Sequence, residues 1–252
     1  MKQKPIIIWW GVNTSVKGFE EGIRAEEPLS ILKKFLIEYG GKDEHSSMMS
    51  RCPAILDELT NLYGVRPYYD YKLKIDSNNN VGTGEYDQFF FDSHVNIRSE
   101  RQLSFATHHL FFAPYEKSLL MSQVPPYFED NDVSKSSIMI PGQFDIAKYF
   151  RTLDYSFIFK KKVTSIQFLR EQIFYYIRFH TTRPIVFQQF FWDKEINEYY
   201  QPILAAKPHK KALLNPKDTV FSYYYKLFDK FQFKKKLIKI IEKNLTKERR
   251  NE

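Results

Sequence analysis

Cysteine is almost missing from this 252-residue chain: Cys52 stands alone. No intrachain disulfide can form, and a zinc site built from cysteines is excluded. No apolar run reaches 18 residues, so no transmembrane segment is expected. The opening stretch, Met1 to Trp10, holds a five-residue apolar run, too short for a secretory signal. The phosphate-cradling pattern G-x-x-x-x-G-K-S/T is absent. Gly82-Thr83-Gly84 lacks the third glycine of a dinucleotide fingerprint. The G-x-S-x-G elbow of serine hydrolases is absent too.

What is present is aromatic and basic. Aromatic residues make up 17% of the chain, with 23 Phe and 17 Tyr, the residue types that strands favour. With 43% hydrophobic residues the chain can bury one sizeable core. Lys and Arg outnumber Asp and Glu by 38 to 30, a net charge of +8. Residues 226–252 hold ten Lys or Arg and four Asp or Glu, so they carry +6 of it. The nearly neutral remainder argues against a broad nucleic-acid-binding face on the body.

The pattern predicts a mainly β fold of sandwich or jelly-roll type, with a short N-terminal helix and a basic amphipathic C-terminal helix. Residues 1–215 form the β-rich domain and 216–252 the helical tail. Pro28 opens the first helix, with Leu32, Phe35, Leu36 and Tyr39 on one side and Gly40-Gly41 as its stop. Tyr71, Leu73 and Ile75 alternate with Lys72 and Lys74 as a half-buried strand. Phe89 to Phe91, Val95 to Ile97, Ile138 to Ile140 and Ile185 to Phe191 read as further strands. Tyr155, Phe157 and Phe159 alternate again. Leu110 to Phe112 and Leu119 to Met121 flank Ala113-Pro114 as a hairpin. The clearest strand sets Ile173, Tyr175, Ile177 and Phe179 on one face, and Phe174, Tyr176, Arg178 and His180 on the other. In the tail, Leu227, Phe231, Ile238, Ile241 and Leu245 share one helical face. Lys234, Lys235, Lys236, Lys239 and Lys243 lie largely around the others. They suit contact with an anionic surface, or simple solvation beside a docked apolar stripe.

The search for chemistry returns little. A jelly-roll oxygenase needs two His and a carboxylate on one face, usually as H-x-D or H-x-E. No His here has an acid two places on. A metal, if any, would draw on His94, His109 and His180; none is favoured, and no cofactor is predicted. Asp76 to Asn80 has the alternating acids and amides of a calcium loop, but Gly82 and Glu85 fall at the wrong offsets, so a turn accounts for them. Cys52 reads as a buried small residue, and as a nucleophile only with a base beside it. Asp145, Lys148 and Arg151 recur at helical spacing between aromatics. With Arg178 they are the candidate ligand-binding residues, suited to an anion or a carbohydrate. The alternative is a structural corner turned by Asp145.

Several short motifs occur together in one order. Ile8-Trp9-Trp10 opens the chain. Arg51-Cys52-Pro53-Ala54 and Val65-x-Pro67-Tyr68-x-Asp70 follow. Then come Gly142-x-Phe144-Asp145-Ile146-x-Lys148 to Arg151, and Tyr175-Tyr176-Ile177-Arg178-Phe179. Over residues 5 to 200 the chain resembles an uncharacterised protein family of T4-like marine cyanophages and related viruses. The resemblance implies a phage origin, and work in the host cytoplasm during infection or in the virion. It supplies no catalytic residue. The expectation is a non-enzymatic phage accessory protein, a β-rich binding or structural module whose partner is a host or virion protein. The alternative is an enzyme on a jelly-roll scaffold, either a metal-dependent oxygenase or a sugar-modifying enzyme.

Overall fold

The structure is a computed structural model of the chain. It describes residues 3–16, 25–40, 48, 50–76, 78, 81–83, 88–205 and 233–246. Most of the polar connection at 42–50, Ser77, Asn79, Asn80 and Gly84 lie outside the described residues. So do Leu227 and Phe231 of the tail and the boundary drawn at residue 215.

The described chain is mainly β. A three-stranded sheet joins β1 (Ile6–Val12) to β15 (Ile185–Gln189) and β8 (His109–Phe112). A four-stranded sheet runs β10 (Ser137–Met139), β12 (Asp154–Phe159), β7 (Gln102–Ala106), β6 (Val95–Ser99). A five-stranded sheet runs β11 (Gly142–Asp145), β9 (Leu120–Val124), β14 (Tyr175–Phe179), β3 (Leu62–Val65), β2 (Leu29–Ser30). The last sheet is β13 (Ser165–Phe168), β4 (Tyr71–Ile75), β5 (Val81–Thr83). Among the described pairings all are antiparallel except β1 with β15. Among the described residues no helix is long and apolar enough to cross a membrane.

The apolar run at the chain's start follows from its position. β1 is central in its sheet and buried on both sides, so both of its faces must be apolar. Ile6, Ile8 and Trp10 enter the main core, and Trp9 enters a second cluster behind the sheet. Phe111 and its neighbours Leu110 and Phe112 divide in the same way on β8.

The helices sit at the edges. Ser30 caps α1 (Ile31–Tyr39), accepting from the Lys33 amide at 3.3 Å. Pro53 opens α2 (Pro53–Leu59). Ile31, Phe35 and Leu59 close a third cluster over Leu62 and Tyr176 of the five-stranded sheet and Ile173, which precedes β14. That sheet comes so close to Ile173 that a Cβ on Gly64 would lie 2.6 Å from the Ile173 Cδ1. α3 is Gln88–His94, and α4 (Asp132–Ser136) carries an Asn131–Ser134 capping box. Asp193 caps α5 (Lys194–Ala205) by accepting from the Ile196 amide at 2.7 Å.

α6 (Phe233–Lys243) docks on the second cluster, with Leu237 and Ile241 fully buried near Trp9, Phe112 and Phe190. Lys234 donates to the Ala113 and Glu116 carbonyls, at 3.3 and 2.6 Å, and lies over the Phe112 ring. Past α6 the chain runs beside β15: Leu245 bridges Phe190, and the Thr246 amide donates to the Gln189 carbonyl at 2.9 Å.

Some expectations are corrected here. Phe89 to Phe91 belong to a helix, because three apolar residues in a row carry no period of their own. β8 and β9 do not form a hairpin; β8 pairs with β1, while β9 lies between β11 and β14. Leu36 and Tyr39 face out of α1, 41% and 52% exposed. Cys52 is half-buried at the cap position of α2 rather than enclosed.

Candidate functional site

The four residues expected to bind a ligand are dispersed, and of them Arg151 lines a cavity. Asp145 ends β11 and is a corner. Its Oδ1 accepts from the Leu119 and Ala147 amides at 3.0 and 3.1 Å, and its Oδ2 accepts from the Ser118 hydroxyl at 2.8 Å. The stretch after it is a turn, not a helix, so the spacing of Lys148 and Arg151 does not align them with Asp145 on one helical face. Lys148 sits in that turn, its amide donating to the Asp145 carbonyl at 3.0 Å.

Arg178 lies on the face of the five-stranded sheet opposite Gln123 and Phe144. Its guanidinium holds both carboxylate oxygens and the carbonyl of Glu58 on α2, and also meets the Tyr127 hydroxyl at 2.9 Å. The hydrogen bonds from Arg178 hold the Glu58 carboxyl below its usual range. Burial, helped by the hydrogen bond to Glu58, pushes the Tyr127 hydroxyl up to about 12. Beside it, the Tyr176 hydroxyl donates to Glu129 at 2.9 Å, and Lys34 of α1 pairs with the same carboxylate at 2.7 Å. These charges fasten α1 and α2 to the sheet.

Arg151 lines a cavity of about 380 Å³. Gln123 of β9, Gly142 and Phe144 of β11, and Tyr149 line it as well. Thr152, Asp154 and Ser156 line the β12 side, and Leu204 lines the α5 side. No carboxylate of the described residues comes within 4.0 Å of Arg151. Its Nε is buried and makes no hydrogen bond to them. The Thr152 hydroxyl is held by Tyr200 at 2.7 Å, and that of Ser156 by Ser104 at 2.7 Å. Phe144 and Tyr149 form a tilted ring pair, 4.8 Å apart. The site is thus a polar mouth with two aromatic rings in its lining and an arginine that has no ionic partner among the described residues.

The histidines separate into two places. His180 is exposed, its Nε2 2.7 Å from the Ser122 hydroxyl and 3.3 Å from the Gln143 amide nitrogen. His94, His108 and His109 are buried in the core, with the His94 and His108 rings 4.9 Å apart and Tyr68 beside His109 at 5.6 Å. Burial, with the neighbouring His94 and His109, drives His108 down to about 3; burial drives His109 down to about 4. His108 and His109 are therefore packed as neutral rings near pH 7. Among the described residues no group of three His, Cys, Asp or Glu is placed to hold a metal ion.

Of the tail lysines, Lys234 is fixed by the carbonyls named above, and Lys243 pairs with Glu195 at 3.1 Å. Lys235, Lys236 and Lys239 are exposed. Comparison with protein-family models, with curated proteins and with solved structures finds no match.

Gln123 and Leu204 carry no signal of a site in the sequence, whereas Phe144 and Tyr149 belong to the motif that runs from Gly142 to Arg151. Leu204 belongs to α5, which the sequence reading left unassigned. Its signal is there: a capping Asp193, then Ile196, Tyr200 and Ile203 at helical spacing, all buried.

Proposed function

We propose that this chain is a phage accessory protein, a non-enzymatic β-rich module that binds a small ligand in the Arg151 cavity. The observation that carries this reading is an arginine without an ionic partner among the described residues, on the wall of a cavity of small-molecule size. A cation left half-buried is costly unless something answers its charge. The mostly antiparallel sheets around one core support a sandwich of jelly-roll type. The order of short motifs supports the phage family. A host or virion protein is the proposed partner, met in the infected cytoplasm or in the particle. The exposed Lys235, Lys236 and Lys239 suit a weak contact with an anionic surface.

The test is a thermal-shift screen of small metabolites on the full-length protein and on Arg151→Gln. Compounds that raise the melting temperature only with Arg151 present support the reading; conversion of a bound compound into a product overturns its non-enzymatic part. The rival reading is an enzyme on the same scaffold, an oxygenase or a sugar-modifying one. Elemental analysis of protein purified without chelator separates the two: about one equivalent of a transition metal per chain, lost on substituting His94, His109 or His180, favours the oxygenase.

A further inference from the structure

We propose that a second cavity, between α1 and the turn that follows β9, holds a small organic ammonium ion with apolar substituents. The site is separate from the Arg151 cavity and does not rest on the reading given for it. α1 builds one wall through its period. Ile31, Phe35 and Tyr39 lie one helical turn apart, and Lys34 and Glu38 form the neighbouring stripe. All five line a cavity of about 290 Å³. Phe128 and Glu129 line its other side. The Pro125-Pro126 turn holds them there: the Tyr127 amide donates to the Pro125 carbonyl and the Glu129 amide to the Pro126 carbonyl, both at 2.9 Å.

Rings and charge together select the ligand. The Phe35 and Tyr39 rings pair at 5.2 Å, and Phe128 pairs with Tyr127 at 4.8 Å, so an aromatic wall stands on each side of the cavity. Among the described residues no cation lies over the Phe35, Tyr39 or Phe128 ring. The charged lining is two carboxylates and one ammonium. Lys34 is committed to Glu129, whose two oxygens it meets at 2.7 Å, and Glu129 also accepts from the Tyr176 hydroxyl at 2.9 Å. Glu38 remains exposed at the mouth, with Lys34 at 4.0 Å as its ionic contact among the described residues. An anion would meet that carboxylate and find Lys34 already neutralised. A neutral apolar molecule would fit the rings and gain nothing from Glu38. A bare ammonium holds its water and gains little from the rings. A cation clothed in methyl groups gains from both, because the ring faces attract its charge at little cost in hydration.

The experiment uses the full-length chain and four probes: choline, its neutral isostere 3,3-dimethylbutan-1-ol, ethanolamine and the anion 3,3-dimethylbutanoate. Ligand-observed NMR ranks them, and melting curves check the fold of each variant. Choline should bind about fivefold or more tightly than the neutral isostere. Phe128→Leu and Tyr39→Leu keep apolar surface but remove a ring, and each should cut that preference to about twofold or less. Glu38→Gln should weaken choline and leave the isostere unchanged. Arg151→Gln should change none of these, which keeps the two cavities distinguishable. Equal binding of choline and its isostere to the unaltered protein overturns the cationic class without any variant. Ethanolamine binding as tightly as choline overturns the apolar substituents, and tighter binding of the butanoate would give the site to Lys34; either result sinks the proposal. A choline preference that survives all three substitutions in this cavity places the binding elsewhere, and binding of none of the four overturns the site.

Discussion

The two faces of the five-stranded sheet carry the same kinds of residue and use them in opposite ways. On one face Arg178, Glu58, Tyr127, Tyr176, Glu129 and Lys34 answer one another, and two helices are held down as a result. At the edge of the other face Arg151 lines a cavity and has no carboxylate partner among the described residues. The lesson is that a charged residue near a sheet is informative by what surrounds it. A closed network explains itself as attachment, whereas an unmatched charge on a cavity wall asks for a ligand.

Acid offers the strongest way to disturb the buried interior, where His108 and His109 lie. His108 and His109 have folded pKa values of about 3 and about 4, below the ordinary 6.5. The unfolded chain therefore binds more protons between those values and 6.5, and stability falls as pH drops through that window. His109 alone accounts for about 3 kcal/mol lost by pH 4. Urea titrations at pH 7, 5.5 and 4 should show this decline, and substituting His109 with Gln should make it shallower, leaving the part due to His108.

Packing on the closed face comes next. Leu62 is fully buried there, and Leu62→Ala should cost about 2–5 kcal/mol, read as a lower urea midpoint. Gly64→Ala forces a methyl against Ile173 and should cost about 1–3 kcal/mol. The ionic attachment is weaker. Glu58 has its side chain 49% exposed, so solvent screens its pair with Arg178. Arg178→Ala should cost about 1 kcal/mol or less, and less still in high salt. A larger, salt-independent loss would mean that the network holds more than the helices.

The smallest effect sharpens the contrast. Arg151→Gln should leave stability within about 0.5 kcal/mol, because no described partner loses a contact. A strong destabilisation would make Arg151 structural, like Arg178, and dissolve the difference between the two faces.

Much of the β character was legible because half-buried strands alternate. β4 and β12 keep the period expected of them, with Tyr71, Leu73 and Ile75, and Tyr155, Phe157 and Phe159, all buried. β14 divides its residues as its period requires, though Ile173 lies with Tyr176 rather than with Tyr175. Pairing was not legible. Nothing in Leu110 to Phe112 says that its neighbour is β1 rather than the next strand. Asp145 as a chain-turning corner was readable from its local motif. The cavity was not, because its walls come from β9, β11, β12 and α5, a span of about 80 residues in sequence.

β1 and β15 lie side by side although 179 residues separate partners such as Trp9 and Gln188, which share a 3.1 Å hydrogen bond. During synthesis, therefore, the first strand leaves the ribosome long before its neighbour exists. β8 can cover one of its edges sooner, but the other stays unpaired until most of the chain has been made. Such distant pairing also makes folding slow. A growing chain of this kind is exposed to misassociation for the whole interval, and is a natural client for a chaperone that shields nascent apolar segments.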